Sequence, residues 1–203
     1  ADIIRKFEKI YTNIYENEAS GAAYVAQEIA GCIRDKQLIG EMCVLGITTG
    51  KSPVGVFRAL VEMHRNEGLS FRNVVVFSLD EFFPISPEAL QSRNHSIHES
   101  LLDHVDILPE NIHIPDGTLP QDKVVAFCRE YEAKIEEYDG IDLMILGTGV
   151  QGQIGFNEPG SYTNTRTRLV ALGNESREAA ASIFYGIDYV PHKAITMGLG
   201  TIM

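Results

Sequence analysis

The sequence predicts an α/β domain built on a doubly wound, mostly parallel sheet with helices on both faces, and three observations carry that expectation. Short apolar runs at residues 42–45, 74–77 and 141–146 each end in glycine or polar residues, as buried parallel strands do. Stretches of helical period separate them, over residues 19–33, 54–65 and 123–138. No repeat or linker breaks the alternation, so strands are expected to be joined by right-handed helical crossovers. At 203 residues, with 44% apolar and 22% charged side chains, a single domain over 1–203 is the default.

Taken in order, residues 3–15 alternate loosely and read as an opening strand. Ala22, Ala23, Ala26, Ile29, Ala30 and Ile33 then recur at helical spacing. The short strand from Met42 to Leu45 runs into Gly46-Ile-Thr-Thr-Gly50-Lys51-Ser52-Pro53, and a helix continues from near Pro53. Strand, glycine loop and helix make a phosphate-binding arrangement. Backbone N–H groups around Thr49, Gly50, Lys51 and Ser52 would face an anion, and the helix dipole would favour it. The stretch misses the nucleotide-binding pattern G-x-x-x-x-G-K-S, with three residues instead of four between Gly46 and Gly50. A nucleotide triphosphatase would also need a Mg²⁺-binding acid at a second strand end.

Val74 to Phe77 is a fully apolar strand, and Ser78-Leu-Asp80-Glu81-Phe-Phe83 stands at its carboxyl end. Adjacent carboxylates face different ways, so at most one of Asp80 and Glu81 enters a cleft as a base while the other caps or pairs; solvated loop acids are the alternative. Residues 84–94 are a Pro/Ser-rich excursion, followed by a helix over about residues 95–104 and a turn at Leu108-Pro-Glu-Asn111. His95, His98 and His104 lie on or near that helix without a fourth ligand at metal-site spacing. They read as surface or satisfied histidines, and no metal is expected.

The helix over 123–138 delivers the chain to IDLMILGTGVQGQIGFNEPG, the stretch richest in chemistry. An apolar run from Ile141 to Leu146, broken only by Asp142, stops at Gly147 and Gly149. In an open α/β sheet ligands sit beyond the carboxyl ends of the strands. Gln151, Gln153, Asn157 and Glu158 are therefore candidate site residues, with Gly147 and Gly149 at the binding loop; a loop merely rich in turn formers is the plain alternative. Gly147, Gly149 and Gly152 also spell the dinucleotide fingerprint G-x-G-x-x-G. Gly155, Asn157, Pro159 and Gly160 follow, however, and leave no room for the long helix which that fingerprint opens. Beyond Gly160, Arg166, Arg168 and Arg177 supply clustered cations, and residues 193–197 begin a further strand.

A net charge of −11 without a basic run argues against nucleic acid or an anionic membrane as partner. Cys32, Cys43 and Cys128 share no CxxC spacing and read as buried reduced thiols, which points to a cytoplasmic location. No apolar run approaches the roughly 18 residues of a membrane span, and no charged-then-apolar leader precedes Asp2. The missing initiator Met and the stop at Met203, just after a Gly-rich turn, suggest a chain truncated at its C-terminal end.

In their order, LGITTGKSP, VVVFSLDEFF, NIHIPDG, IDLMILGTGVQGQIGFNEPG, TRTR and ITMGLGTIM resemble the glucosamine-6-phosphate deaminase/isomerase family over nearly the whole chain. The most specific element is G-F-N-E-P-G downstream of L-D-E, a block that the related 6-phosphogluconolactonases lack. The resemblance implies a Rossmann-like α/β domain that converts glucosamine 6-phosphate and water to fructose 6-phosphate and ammonia, with a sugar phosphate as its ligand and no metal or organic cofactor. An aldose-to-ketose shift moves a proton between C2 and C1 through an enolic intermediate, and one carboxylate on one face of the open-chain sugar can perform both transfers. By resemblance that base is Asp80.

The family opens the pyranose with a histidine supported by an aspartate and a glutamate, in the motif D-G-H-x-x-F-N-E. Here the motif reads Gln151-Gly-Gln153-Ile-Gly-Phe-Asn-Glu158. Glu158 is kept, but Gln151 stands for the aspartate and Gln153 for the histidine, and a carboxamide exchanges no proton near neutral pH. The family's phosphate-binding arginine falls on Ser182, and its lysine would lie beyond Met203. Thr49, Gly50 and Ser52 match the backbone cradle. Lys51 replaces a small residue, where its charge either serves the phosphate or stays in solvent. Ser161 and Arg168 match positions that bind the activator N-acetylglucosamine 6-phosphate in hexameric members, but Tyr162 and Val170 replace a small residue and a lysine, so that allostery is not expected. Two readings stand: a sugar-phosphate isomerase or deaminase acting by enolisation on an amino-sugar or a ketose/aldose phosphate, and a catalytically impaired sugar-phosphate-binding or regulatory homologue. A homo-oligomer is left open.

Overall fold

Strand β1 (Cys43–Ile47) is the axis of the computed structural model, which describes residues 10–203. It pairs in parallel with β2 (Val74–Ser78) on one side and with β5 (Leu143–Met144) on the other, and β4 (Ile112–His113) extends the sheet beyond β2. The order is β4-β2-β1-β5, all parallel. Every residue of β1 and β2 is buried, because both faces of the sheet are covered. Alternate residues go to opposite cores. Leu45, Ile47, Val74 and Val76 pack under α1 (Glu18–Leu38) and α2 (Lys51–Glu67), whereas Val44, Val75 and Phe77 pack against Tyr131 and Ile135 of α4 (Val124–Glu137). The doubly wound arrangement is therefore present.

The run at Ile141–Leu146 does not form the buried strand its composition suggests. Only Leu143 and Met144 pair, and they are half-buried because β5 is the last strand of the sheet. Asp142 also takes a ladder position with its side chain: its carboxylate accepts the Val44 N–H at 2.9 Å and pairs with Lys36 at 2.8 Å.

A second, antiparallel sheet was not legible in the sequence. β3 (Asp80–Phe83), β6 (Arg168–Ala171) and β7 (Lys193–Thr196) lie in the order β3-β7-β6. Residues 193–197 do supply a strand, but it runs against its neighbours instead of continuing the parallel sheet. Leu79 joins the two sheets. Its N–H donates to the Ile47 carbonyl at 2.8 Å and its own carbonyl accepts the Met197 N–H at 2.9 Å, so β3 leaves the end of β2 without a helical crossover. Phe82 and Phe83 then anchor separate apolar clusters on the two faces of β3.

Two further expectations are adjusted. Of the opening strand, residues 3–9 lie outside the described residues, and 11–15 carry no strand. The helix expected over 95–104 is α3 (Arg93–Ser100), which starts earlier because Ser92 caps it. Short helices α5 (Asn174–Ala180) and α6 (Leu199–Ile202) complete the described chain.

The three cysteines are free thiols. Cys43 and Cys128 are buried, Cys32 is half-buried with its Sγ 3.5 Å from that of Cys43, and burial pushes the Cys128 thiol up to about 11. His98 pairs with Asp103 at 2.7 Å, His95 with Glu99 at 3.8 Å, and His104 meets the Glu99 carbonyl at 2.9 Å. No described helix is long and apolar enough to cross a membrane.

Candidate active site

A cleft of about 640 Å³ opens at the carboxyl ends of β1 and β5. The loop from Thr48 to Pro53 forms one wall, the segment from Met144 to Gly149 another, and Asp80 and Arg93 stand between them. This is where strand ends, loops and a helix start converge in an open α/β sheet.

The first wall is prepared for an anion. Gly50 is the N-cap of α2 with φ +123°, a conformation that suits glycine, and no side chain caps this helix start. The first amides of α2, from Lys51 and Ser52, therefore lack intrahelical acceptors and carry the positive end of a 17-residue helix. Thr49 Oγ1 is buried with no hydrogen-bond partner among the described residues, although Thr49 lines the cleft. A buried orphan hydroxyl is costly unless a ligand completes it. Lys51 is exposed at the cleft's rim, and the helix begins two residues before the expected start at Pro53.

Asp80 and Glu81 diverge as adjacent strand residues must. Asp80 is 5% exposed and lines the cleft, where its Oδ1 accepts from Arg93 Nε at 3.1 Å. Burial raises the Asp80 carboxyl above the ordinary range, with the Arg93 charge and hydrogen bond pulling the other way. Glu81 points instead to the start of α3. Its carboxylate accepts from Ser92 Oγ at 2.7 Å, the Arg93 and Asn94 N–H groups at 3.0 Å each and its neighbour's N–H, that of Phe82, at 2.9 Å. Burial pushes this carboxyl up too, against four hydrogen bonds that favour the charge.

The glycine-rich stretch behaves differently from its four candidates taken together. Residues 148–154 form a tight loop closed by the Thr148–Ile154 bridge and by Gly149 N–H donating to the Gln153 carbonyl at 2.8 Å. Gly147, Gly149 and Gln153 line the cleft. Gln151 does not: it is exposed at the loop's tip, and its backbone N–H donates to Gln153 Oε1 at 2.9 Å. Glu158 does not reach the cleft either. Its Oε1 accepts the Gly173 N–H at 2.9 Å, at the N-cap of α5, so the free amide at a helix start has drawn the carboxylate away. Asn157 is buried in a structural role, with Nδ2 donating to the Ile154 and Met197 carbonyls and Oδ1 accepting from Arg168 at 2.9 Å.

The three later arginines do not form one cluster. Arg168 contacts Asn157 and Ser161, Arg166 pairs with Glu132, and Arg177 donates to the Ile187 carbonyl. Ser182 is exposed and does not line the cleft. Arg93 is the residue that sequence reasoning missed. Nothing in its local pattern distinguishes it from a surface arginine opening a helix; only the approach of α3 to β3 reveals it.

Comparison with known proteins places the chain in a family and a fold. The profile of glucosamine-6-phosphate isomerases/6-phosphogluconolactonase matches residues 16–195. The chain is 48% identical over 201 residues to a glucosamine-6-phosphate deaminase-like protein of Bacteroides thetaiotaomicron, which takes in 99% of this chain and 30% of that protein. It is 42% identical over 160 residues to the glucosamine-6-phosphate deaminase of Thermoanaerobacter pseudethanolicus, covering 79% of this chain and 62% of the other. The chain thus spans less than two thirds of the length of these relatives. A solved monomeric glucosamine-6-phosphate deaminase matches with a TM-score of 0.87 at 36% identity, over 93% of this chain and 76% of that one. A 6-phosphogluconolactonase from Thermotoga maritima shares the fold, with a TM-score of 0.69 at 21% identity over 92% and 76% of the two chains.

Proposed function

The chain belongs to the glucosamine-6-phosphate isomerase/6-phosphogluconolactonase family, and from that premise we propose that it is a sugar-phosphate isomerase or deaminase working by enolisation. One observation carries the reading: a single cleft holds both an anion-ready helix start with an orphan hydroxyl and a buried carboxylate with an elevated pKa. The phosphate ester would seat on the amides of Lys51 and Ser52 with Thr49 Oγ1 as a further contact. That leaves the open-chain carbons beside Asp80. A carboxylate shielded from water and with its pKa raised is suited to proton abstraction near neutral pH.

In this reading Asp80 removes the proton next to the carbonyl, the C–H pair forms a C=C bond, and the carbonyl π pair moves onto oxygen. The same carboxyl returns the proton to the neighbouring carbon, while the hydroxyl or ammonium on the deprotonated carbon gives a proton to the former carbonyl oxygen and becomes the new C=O or C=N group. With an amino sugar the product is an imine, which water hydrolyses to a ketose and ammonia. Gln153 offers an amide to a sugar hydroxyl but no exchangeable proton for ring opening. We assign Glu158 to holding the start of α5 and Gln151 to the loop's tip.

Gln153 itself favours a second reading, a sugar-phosphate-binding homologue without turnover. A panel of amino- and keto-sugar phosphates, followed for ammonia release and for deuterium entering at C1 or C2 in D₂O, separates the two. Exchange that is abolished in Asp80→Asn, with the mutant still folded, supports the enzyme; binding without exchange on any open-chain sugar phosphate supports the binding protein. Exchange that survives in Asp80→Asn removes Asp80 from the role of base.

A further inference from the structure

Arg93 shares the cleft with Asp80, and its guanidinium is fixed from several directions. Nε donates to Asp80 Oδ1 at 3.1 Å, while the Phe82 and Phe156 ring centres lie 4.6 and 5.7 Å from Cζ. Glu81 holds the same residue by its backbone N–H. The adjacent carboxylates of β3 thus grip the main chain and the side chain of one residue, and Arg93 cannot swing out without losing its bond to Asp80 and its two aromatic faces. Its side chain is 18% exposed, and the residue lines the cleft.

Among the described residues, Nε is the guanidinium nitrogen with a protein acceptor; the two Nη groups, with four N–H donors between them, have none. A rigid fork against aromatic faces with free donors suits an oxygen anion. Two oxygens come into question, because Arg93 borders the start of α2 beside Thr49, Gly50 and Lys51 and also holds Asp80 through Nε. The bond to Asp80 favours an oxygen on or next to the carbon that Asp80 deprotonates. Glu18 of α1 and Lys51 of α2 are the other charged residues bordering the cleft, and neither pairs with Asp80. The phenol of Tyr131 on α4 is turned to the Ser78 and His113 carbonyls.

We infer that Arg93 is a further catalytic residue of this cleft: its Nη donors bind the substrate's carbonyl oxygen and stabilise it as an enediolate while Nε holds Asp80 in line. The inference rests on the enolisation reading and adds an electrophile to it. When Asp80 takes the proton, the negative charge that develops on the carbonyl oxygen faces the guanidinium. Reprotonation at the same carbon restores the substrate. Reprotonation at the neighbouring carbon, with the hydroxyl proton passing between the two adjacent oxygens, gives the isomer. The cleft therefore favours sugar phosphates that arrive with an open carbonyl.

The test compares the parent with Arg93→Gln and Arg93→Lys. Deuterium exchange into fructose 6-phosphate should fall by about 10²-fold or more in Arg93→Gln, the scale for one lost oxyanion donor. Its acid limb should move to higher pH, because the cation favouring the charged form of Asp80 is gone. Arg93→Lys should restore the limb but not the rate, since an ammonium cannot form the fork. Binding gives a readout independent of turnover. A phosphorylated aldonohydroxamate, which mimics the enediolate, should bind at least ~10-fold more weakly to Arg93→Gln, the scale of a charged hydrogen bond, while inorganic phosphate binds equally well to both. Equal weakening of hydroxamate and phosphate would overturn the inference in favour of a phosphate ligand, and no weakening of either would leave Arg93 as a counter-ion alone. If the parent exchanges no proton, the enolisation reading falls, and the hydroxamate contrast still decides whether Arg93 binds the oxyanion. Arg93→Lys guards against a Gln variant that fails to fold.

Discussion

The Gly149 N–H donates to the Gln153 carbonyl at 2.8 Å, and the Gln153 carboxamide occupies the space where a Cβ on residue 149 would stand. A side chain at residue 149 would displace the Gln153 carboxamide, so the two positions together set what the loop presents to the cleft. Restoring the family's pair with Gln151→Asp and Gln153→His places an imidazole in that space. A positioned histidine is typically worth about 10²- to 10⁴-fold, so the double variant should release ammonia from glucosamine 6-phosphate at least ~10²-fold faster than the parent. A parent already as fast as the double variant would remove the argument from the missing histidine. A double variant that binds yet stays inert would favour the non-catalytic reading.

Thr49 offers a test in which binding and stability separate. Thr49→Val removes a buried hydroxyl that has no partner among the described residues. Phosphate-ester affinity should fall about tenfold, as for one hydrogen bond to a charged group, while thermal stability holds or rises. Lys51→Ala should weaken the same ester by about 1 kcal/mol or more. Calorimetric titration checks both, and an unchanged Kd in the Lys51 variant would return that side chain to the solvent.

Glu81 predicts a stability effect without chemistry. Its two oxygens accept from one hydroxyl and three backbone N–H groups, and Glu81→Gln replaces one acceptor with an NH₂ facing those donors. Unfolding by urea should show a loss of about 2 kcal/mol or more, the range for a buried charged group deprived of its partners. A midpoint equal to the parent's would show that the cap is dispensable.

Asp106 should tie the stability of the fold to pH in the acid range. Burial opposes its charge, but the Phe71 N–H, the Ser70 hydroxyl and His64 together hold the carboxyl below the ordinary range. A depressed carboxyl stabilises the fold above its unfolded pKa, and that contribution is lost as pH falls from about 4 through the folded value. Asp106→Asn should be less stable at neutral pH and show a flatter decline in acid. Parallel curves for parent and variant, from urea unfolding at stepped pH, would exclude this linkage.

Continuous apolar runs, helical periods and a glycine loop before a helix are local signals, so β1, β2, α1, α2 and α4 and the turn at Gly50 that opens α2 are legible in the sequence. The alternation of adjacent residues likewise implied that only one of Asp80 and Glu81 could enter a cleft. What the sequence could not convey were relations between distant segments. Asp80–Phe83 has no periodicity that marks it as a strand; it becomes one because Lys193–Thr196 arrives beside it. Ile141–Leu146 looks like a core strand, yet its place at the sheet's edge and the Asp142 bond to Val44 shorten it. Glu158 belongs to the motif but is claimed by an amide at residue 173, while Arg93 belongs to no motif and reaches Asp80. Spacing along a chain determines which groups are neighbours within an element, whereas competition for buried charge and free amides is resolved only once the elements have packed.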